Sequence, residues 1–295
     1  LEFRRVLFRS DFAMQVIARM FAKTLQKRDL NINIITATSG DTGSAAVEAF
    51  KGISNVNLYV LYPHERISQI QRKQMTTSNA KNVKVFAVQG TFDDCQSIVK
   101  ELFADKALVS DVNLSGVNSI NWARILVQII YYFSAFYQLK DLSVGKLSFS
   151  VPTGNFGDAY AGYISKRMGL PINKIIVATN KNDILDRVFK TGVYKSDNVS
   201  KTLSPSMDIQ VASNFERLLF DLLNNDTKEV RKLMNNLSNK GHFNLEKRIL
   251  TNISKDFDSG AVTDNDTIAT INHFYNERDI VLCPHSAIGV RVAKD

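Results

Sequence analysis

The 295-residue chain is long enough for about two domains. Its 44% apolar and 22% charged residues exclude wholesale disorder, and its two cysteines exclude a disulfide framework and indicate a reducing compartment, so we expect a cytoplasmic protein. The net charge of +8 suits an anionic partner but does not identify one.

The first ten residues, LEFRRVLFRS, differ in character from the rest of the chain. Arginines interrupt their apolar residues and no small-residue cleavage site follows, so they do not form a secretory signal. We interpret residues 1–10 as an artefact, because RVLFRS matches the translation of a common sequencing adapter; the alternative is a natural basic strand. The chain ends at Asp295 within a predicted helix, so we expect a gene fragment that is incomplete at both ends.

Residues 11–140 alternate helix-like and strand-like patterns, which predicts a smaller α/β lobe with parallel strands and helices on both faces of the sheet. Apolar residues first recur at helical spacing between Phe12 and Leu25. The elements predicted after that helix are the strand Ile32–Ala37, the helix Gly43–Phe50, the strand Asn57–Tyr62, the helix Ile67–Met75, the strand Val83–Val88, the helix Phe92–Phe103 and the helix Ile120–Leu139.

Residues 141–295 are predicted to form a larger α/β lobe that is truncated at its carboxyl end and joined to the first by a linker at Asp141–Gly145. Beyond Ser213 the pattern is mainly helical, and the polar run Leu222–Lys240 predicts an exposed pair of helices. The lobe opens with another βαβ unit, whose predicted elements are the strand Lys146–Val151, the helix Phe156–Met168 and the strand Lys174–Ala178.

The first candidate binding loop lies between a predicted strand and a predicted helix and consists of Ser39, Gly40, Asp41, Thr42 and Gly43. The glycines permit a tight turn, and the start of a helix offers N–H groups and a partial positive charge, so the loop suits a carboxylate or a phosphate. The alternative is a plain strand-to-helix turn in which Asp41 or Thr42 only caps the helix.

The second candidate loop has the same position in its lobe and consists of Gly154, Asn155, Phe156, Gly157 and Asp158. Backbone N–H groups at a helix start form a phosphate cradle without a lysine. The loop lacks the Gly-Lys-Ser/Thr ending of a nucleotide P-loop and the G-x-G-x-x-G spacing of a dinucleotide site. Taken alone it is a weak signal.

The third candidate, at the start of the long helix, consists of Asn118, Ser119, Asn121 and Arg124. Asn121 and Arg124 are three residues apart and are expected to face the same way, and an arginine binds phosphate in a bidentate manner. The alternative is a capped amphipathic helix with a solvated arginine.

The remaining sequence features do not indicate a metal, a nucleic acid or a membrane as a further partner. Cys283 and His285 are potential metal ligands without a second pair nearby, so no metal site is expected. No RNA-binding signature accompanies the positive charge, and the longest uncharged apolar stretch, residues 125–139, is shorter than the ~20 residues of a membrane span. We therefore expect no nucleic-acid partner and no membrane partner.

Taken together, the motifs occur in an order that is specific to one enzyme family. The segments are ATSGDTGSAAVEAF (37–50), NSINWARILVQ (118–128), VPTGNFGDAYAG (151–162) and TLSPSMDIQVASNFERLLF (202–220), with DFAMQ (11–15) ahead and PHSAIGV (284–290) behind. From Asp11 to Asp295 the chain closely resembles the threonine synthases, in the longer-chain branch found in bacteria and fungi. The resemblance implies an α/β fold of two lobes, each with a parallel sheet and flanking helices, which is fold type II of the pyridoxal-phosphate enzymes (tryptophan synthase beta-like).

The resemblance also implies a function. The family converts O-phospho-L-homoserine and water into L-threonine and phosphate, the final step of threonine biosynthesis, with pyridoxal 5'-phosphate in the cleft between the lobes. The resemblance also implies that the phosphate of the cofactor binds at Gly154, Asn155, Phe156, Gly157 and Asp158. The loop Ser39, Gly40, Asp41, Thr42 and Gly43 lies by the cofactor and the substrate. We assign the substrate phosphate to Asn118, Ser119, Asn121 and Arg124.

The chain departs from the family at its catalytic position. The Schiff-base lysine of the family stands immediately before the DFAMQ-like segment, where this chain has Ser10. A hydroxyl cannot form the Schiff base. We therefore predict no catalytic residue in this chain and expect the chain to be inactive. The resemblance also implies an amino-terminal domain and a further carboxy-terminal segment, which we expect to lie outside this fragment.

Two alternatives stay open. Another fold-type-II enzyme, such as a threonine dehydratase or a cysteine synthase, is disfavoured by the GNFGD and SPSMD segments. A non-catalytic binder of a phosphate ligand is permitted by the absent lysine. In each case we expect a small-molecule ligand, and the oligomeric state stays open.

Overall fold

The computed structural model describes residues 9–139 and 146–295, so the predicted linker at 141–145 and most of the predicted artefact at 1–10 lie outside the described residues. The chain divides into two compact units, Leu1–Val127 and Gln128–Asp295. This division falls inside a helix, upstream of the predicted boundary at residue 140. The second half of that helix packs on later elements: Tyr132, for example, contacts the ring of Phe149 at 5.0 Å.

The first unit contains a four-stranded sheet in the order β3-β2-β1-β4, and every pair in it is parallel. The predicted alternation is confirmed, whereas α5 and β4 are too short for a periodic signal. The elements are α1 (Arg9–Arg28), β1 (Ile32–Ala37), α2 (Asp41–Phe50), β2 (Val56–Pro63), α3 (Gln69–Thr76), β3 (Val83–Val88), α4 (Phe92–Ala104), α5 (Lys106–Asp111), β4 (Leu114–Gly116) and the beginning of α6 (Trp122–Leu139).

Strand β1 is the point at which the strand order of this sheet reverses. It pairs with β2 on one side, where Ile32 is opposite Val56, and with β4 on the other, where Asn33 is opposite Leu114. In open parallel sheets, ligands bind outside the carboxyl ends of the strands at such a reversal. The loops that follow β1 and β4 are therefore adjacent and well placed for a ligand.

The core of the first unit lies between the sheet and the helices α1 and α2. Met14 and Ile17 of α1, Phe50 of α2 and Ile34 and Leu58 of the sheet are each at most 1% exposed. Burial of one such side chain stabilises the fold by about 1.5–3 kcal/mol. This packing makes the sheet a firm base for the loops at its carboxyl edge.

The second unit contains a three-stranded parallel sheet in the order β5-β6-β9 and a separate antiparallel pair, β7-β8. Its elements after α6 are β5 (Leu147–Pro152), α7 (Gly157–Arg167), β6 (Ile172–Thr179), α8 (Ile184–Thr191), β7 (Val193–Lys195), a 3₁₀ turn (Pro205–Met207), α9 (Phe215–Leu222), α10 (Thr227–Lys240), β8 (His242–Asn244), α11 (Lys247–Asp256), β9 (Phe257–Ala261), α12 (Asp264–Arg278) and α13 (Pro284–Lys294). The predicted α/β architecture, with parallel sheets and flanking helices in both units, is confirmed.

The polar run Leu222–Lys240 contains the last residue of α9 and the whole of one helix, α10, and not the predicted pair of helices. Asn224 and Asn225 adopt positive φ values of 54° and 64°, which ends the preceding helix, α9. Asp226 then begins α10 by accepting hydrogen bonds from the N–H groups of residues 228 and 229. Residues 224–226 therefore form a turn, and the run has room for only one helix after it.

Aromatic rings fill the core of the second unit. The Phe156 ring lies 5.7 Å from the centroids of both Phe215 and Phe257 and 6.1 Å from that of Phe189. The pairs with Phe189 and Phe215 are edge-to-face, and such pairs add about 0.5–1.5 kcal/mol each beyond area burial. Residue 156 thus joins a candidate binding loop to the core.

Two negative findings apply to residues 9–139 and 146–295. Within them, no helix combines the length and the apolar character needed to cross a membrane. The same residues contain no group of three or more His, Cys, Asp or Glu side chains arranged to hold a metal ion.

Cys283 begins α13 and carries a thiol with altered acidity. Its Sγ accepts from the N–H of Ser286 at 3.4 Å, and a hydrogen bond with His285 makes the largest contribution to lowering its pKa to about 7. We expect alkylation of Cys283 by iodoacetamide to accelerate as the pH rises through about 7, because the thiolate is the nucleophile. Mass spectrometry of pulse-labelled protein measures the rate.

His285→Ala should move this midpoint upward, towards the ordinary thiol pKa of about 8.5. The buried Cys95 is an internal control, because burial raises its pKa to about 11. If the pH midpoint of Cys283 alkylation is unchanged in His285→Ala, the histidine does not lower the pKa of this thiol.

Candidate functional site

The first and third candidate loops meet at the carboxyl edge of the first unit's sheet. Arg124 Nη1 donates to Thr42 Oγ1 at 3.2 Å, which joins the start of α6 to the start of α2. Thr36 Oγ1, on β1, donates to Asn118 Oδ1 at 2.8 Å. Because β1 and β4 are neighbours, the turns that follow them are held side by side.

The loop Ser39–Gly43 is fixed by a residue that the motif did not include. Thr38 Oγ1 accepts from the backbone N–H groups of Gly40 at 2.9 Å and Gly43 at 2.8 Å. Thr38 therefore has the capping role that one alternative gave to Asp41 or Thr42. These two N–H groups are engaged within the chain, so an anion would rely on the remaining donors of the loop.

Gln71 supports the same loop from α3. Its Nε2 donates to Asp41 Oδ1 at 2.7 Å and its Oε1 accepts from the N–H of Ser68 at 3.0 Å. Gly40 has a φ of 135°, and a Cβ there would lie 2.3 Å from the Gln71 side chain. The positive φ therefore favours glycine at position 40. The Ser68-x-x-Gln71 capping box is a sequence signal for the start of α3, but it does not predict the contact of Gln71 with Asp41.

Arg124 is buried, at 4% exposure, which contradicts the alternative of a solvated arginine. Its Nη2 donates to Ser10 Oγ at 2.9 Å and its Nη1 also reaches the carbonyl of Val117 at 3.5 Å. The structure thus brings Ser10, Thr42 and Arg124 together around one guanidinium. A guanidinium and hydroxyl groups in this arrangement are donors that can bind an anionic ligand.

The two asparagines of the third candidate are engaged with the backbone or with β1. Asn121 Nδ2 donates to the carbonyl of Gly116 at 3.0 Å, and its Oδ1 accepts from the N–H of Ala123 at 2.9 Å. Asn118 accepts from Thr36, as described above, and Ser119 is half-buried in the same turn. The contacts give Asn121 a capping role, and a ligand role for these residues stays a prediction.

The second candidate loop, residues 154–158, lies in the second unit between β5 and α7. Within the described residues, the backbone N–H groups of Asn155, Phe156 and Gly157 donate to no other group of the chain. Phe156 adopts a left-handed conformation, with φ 65°, immediately before the helix. The loop therefore presents free backbone donors at a helix start, as a phosphate requires.

The chain approaches Gly154 too closely for any larger residue. A Cβ at this position would lie 2.8 Å from Ile209 Cδ1 and 3.1 Å from the carbonyl oxygen of Ser206. Asp158 lies in the first turn of α7 and is 9% exposed. Gly154 thus packs against residues 206–209, and Gly157 and Asp158 already belong to α7.

A second segment, residues 213–217, also holds this loop. Asn214 donates to the carbonyl of Asn155 through its backbone N–H and through Nδ2, each at 3.1 Å. Ser213 Oγ donates to Asn155 Oδ1 at 3.1 Å, and Arg217 Nε donates to Asn214 Oδ1 at 3.0 Å. The motif-based prediction gave no role to these residues, because the bonds connect positions far apart in sequence.

Asp208 ties the 3₁₀ turn to the end of β6. Its carboxylate accepts from Asn180 Nδ2 at 2.8 Å, from Asn182 Nδ2 at 3.0 Å and from the N–H of Thr202 at 2.9 Å. Burial raises the pKa of Asp208 above its ordinary value, although the hydrogen bonds from Thr202 and Asn180 act in the opposite direction. The network anchors the segment that contacts Gly154.

Comparison with known proteins places the chain in a family. Residues 12–233 match the model of the pyridoxal-phosphate dependent enzymes. The chain belongs to this family. It is 48% identical over 285 residues to a threonine synthase of Pseudomonas aeruginosa, covering 97% of this chain and 61% of the relative, and 47% identical over 305 residues to that of Saccharomyces cerevisiae, covering 95% and 59%. The chain thus spans about three fifths of the length of these relatives.

A solved structure agrees with the sequence relatives. The structure of pyridoxal-phosphate-bound threonine synthase from Brucella melitensis superimposes with a TM-score of 0.89 at 48% identity, covering 97% of this chain and 61% of that one. The resemblance to threonine synthases, the fold type and the cofactor of the family are confirmed. The roles of the individual loop residues stay predictions.

Proposed function

We propose that this chain is the core of a threonine synthase, a pyridoxal-phosphate lyase that acts on O-phospho-L-homoserine. The observation that carries the proposal is the loop at residues 154–158, whose free backbone donors lie at the start of α7. The names of the relatives support the reaction, and the position of the loop supports the cofactor.

The loop fits the phosphate of the cofactor in three respects. The backbone N–H groups of residues 155–157 have no acceptor within the described residues, the α7 dipole favours negative charge, and the close approach of residues 206–209 to Gly154 fixes the turn. When bound, pyridoxal phosphate supplies an electron sink for chemistry at the amino-acid carbons. The chain contributes the groups that hold the cofactor and orient it.

The first unit supplies a different anion site. The guanidinium of Arg124, with the hydroxyls of Thr42 and Ser10 beside it, suits the substrate phosphate, and the loop Ser39–Gly43 suits the polar end of an amino acid. Two separate anion sites match a substrate and a cofactor that each carry a phosphate. Asn118, Ser119 and Asn121 complete the proposed substrate set.

Ser10 decides whether the chain is a catalyst. Its buried hydroxyl accepts a hydrogen bond from Arg124, at the position where the family has its lysine. A hydroxyl cannot form a covalent link with the cofactor aldehyde or move protons as an amine does. We propose that the chain with Ser10 binds its ligands without turnover, which leaves the non-catalytic binder as the second candidate function.

Calorimetric titration tests the binding roles directly. We expect pyridoxal phosphate and O-phospho-L-homoserine each to bind the purified chain, whereas L-homoserine, which lacks the phosphate, should bind much more weakly. Equal affinity for homoserine and phosphohomoserine would remove the phosphate from recognition. Binding of phosphohomoserine with no phosphate release by a full-length gene product that has Ser10 would favour the non-catalytic binder.

Arg124→Ala is predicted to weaken binding of phosphohomoserine and to leave binding of pyridoxal phosphate unchanged. A charged hydrogen bond contributes about 1.5–3 kcal/mol, so we expect the substrate Kd to rise about tenfold or more. Titration of both ligands into one preparation makes the measurement.

Arg124→Lys is the matched control, because it keeps the charge and loses the planar donor fork. It should retain part of the affinity. An unchanged substrate Kd in Arg124→Ala would instead assign the arginine to the fold alone.

We further propose a cytoplasmic location, as the two free thiols, Cys95 and Cys283, suit a reducing compartment. The proposed partners are the small-molecule substrate and the cofactor.

A further inference from the structure

Asn214 lies outside the loop 154–158 but controls one of its peptide groups. Its backbone N–H and its Nδ2 both donate to the carbonyl oxygen of Asn155, each at 3.1 Å. Two donors occupy both lone pairs of that oxygen. Because Asn214 is 0% exposed, water does not compete for these bonds, and the carbonyl is held in one direction.

The direction of that carbonyl determines the direction of the next N–H group. A trans peptide unit is planar, and its C=O and N–H point in opposite directions. The described residues contain no cis peptide bond. Since the Asn155 carbonyl points towards Asn214, the N–H of Phe156 points away from Asn214. It thereby joins the donors at the start of α7, where an anion is stabilised.

Further contacts fix the orientation of Asn214 and the position of Phe156. Arg217 Nε donates to Asn214 Oδ1 at 3.0 Å, so the amide oxygen faces Arg217 and the amide nitrogen faces Asn155. The ring of Phe215, the residue after Asn214, packs 5.7 Å from the ring of Phe156. These contacts hold the Phe156 peptide group from both its carbonyl side and its side chain.

We propose that Asn214 is a positioning residue for phosphate binding: by holding the Asn155 carbonyl, it aims the Phe156 N–H at the phosphate group of the cofactor. The inference rests on the proposed function of loop 154–158. Arg217 acts one step further away, because it sets which face of the Asn214 amide meets Asn155. The ligand class is a phosphate monoester, and neither residue touches it.

The sequence provides a selective probe of this peptide group. The dipeptide Asn-Phe occurs twice, at 155–156 and at 214–215. Protein labelled with ¹³C at the carbonyl of Asn and ¹⁵N at Phe therefore gives two correlated amide signals, from Phe156 and Phe215. The variant Asn214→Asp keeps the size of the side chain and the acceptor for Arg217, removes the Nδ2 donor, and assigns the Phe156 signal because the Phe215 signal disappears.

Titration with inorganic phosphate, and then with pyridoxal phosphate, should change the amide chemical shift of Phe156 in the parent protein. The amide chemical shift of Phe215 should change very little. In Asn214→Asp we expect the Kd for either ligand to rise about tenfold, with a smaller maximal shift at Phe156. Thr267→Ala is the matched control, since Thr267 is also buried in the second unit and its hydroxyl donates to the carbonyl of Thr263, away from the loop 154–158. This control should lose thermal stability and keep its phosphate affinity within about twofold.

The outcomes separate the inference from the function on which it rests. No response of Phe156 in the parent would overturn both. A response in the parent with an unchanged Kd in Asn214→Asp would overturn the inference alone. Should Asn214→Asp fail to fold, Arg217→Gln leaves Asn214 in place and should raise the Kd about threefold; an unchanged Kd there would also overturn the inference.

Discussion

The chain with Ser10 is expected to release no phosphate from O-phospho-L-homoserine, even when pyridoxal phosphate is saturating. The family uses a lysine amine at this position, and a serine hydroxyl neither bonds covalently to the cofactor aldehyde nor accepts the substrate protons. Proton transfer by a positioned side chain is worth about 10²–10⁴-fold, and the loss of the covalent link to the cofactor adds to this loss. This is the largest effect that we predict.

The measurement combines a phosphate-release assay with borohydride reduction and peptide mass analysis. We expect no pyridoxyl label at residue 10 of the chain and a label at that residue in Ser10→Lys. The new lysine would lie beside Arg124, whose Nη2 is 2.9 Å from the present hydroxyl, and the neighbouring positive charge lowers the pKa of an amine and favours its nucleophilic form.

Ser10→Ala is the control for Ser10→Lys, since it removes the same hydrogen bond and supplies no amine. It should gain no label. A pyridoxyl label on one specific lysine of the Ser10 chain, together with phosphate release, would show that another residue has taken the catalytic position.

Gly157→Asp is expected to weaken binding of pyridoxal phosphate by about 1,000-fold without unfolding the chain. A carboxylate in the first turn of α7 faces the phosphate, and two unit charges 4 Å apart repel by about 4 kcal/mol at an effective dielectric constant near 20. The same carboxylate interacts favourably with the helix dipole, so stability should be maintained. Absorbance titration and thermal unfolding measure the two effects separately.

Gly157→Asn is the matched control, because it adds nearly the same atoms without the charge. Its loss of affinity should be several-fold smaller than that of Gly157→Asp. Equal losses in both variants would attribute the effect to bulk, and no loss in either would remove the α7 start from the phosphate site.

The sequence predicted the parallel sheets well because their strands carry strong apolar runs between helices of clear periodicity. The bounds of β1, Ile32–Ala37, and of β3, Val83–Val88, agree with the predictions at both ends. The strand β9 was missed, since its sequence FDSGA has little apolar content. It is a strand because the neighbouring β6 offers it a complete set of backbone partners.

The candidate site shows the same division between local and long-range information. The loops after β1 and β5 were found from glycines and hydroxyls that lie together in the sequence. Thr38 caps the first loop from just outside its motif, whereas Gln71 and Asn214 act through hydrogen bonds to residues 30 and 59 positions away. Such a partner is visible only when the fold has brought the two segments together.

The strand order β5-β6-β9 also has a consequence for the way the second unit acquires its structure during synthesis. The central strand, β6, ends at Thr179, but the strand that covers its second side begins only at Phe257. Until that segment leaves the ribosome, β6 exposes a row of apolar residues and unsatisfied backbone groups, which is the kind of edge at which nascent chains associate wrongly. The first unit has an interval of almost the same length, because its central strand β1 ends at Ala37 and β4, which covers the second side of β1, begins only at Leu114. The late pairings of β1 with β4 and of β6 with β9 therefore leave an open central strand edge in each unit for a similar length of synthesis.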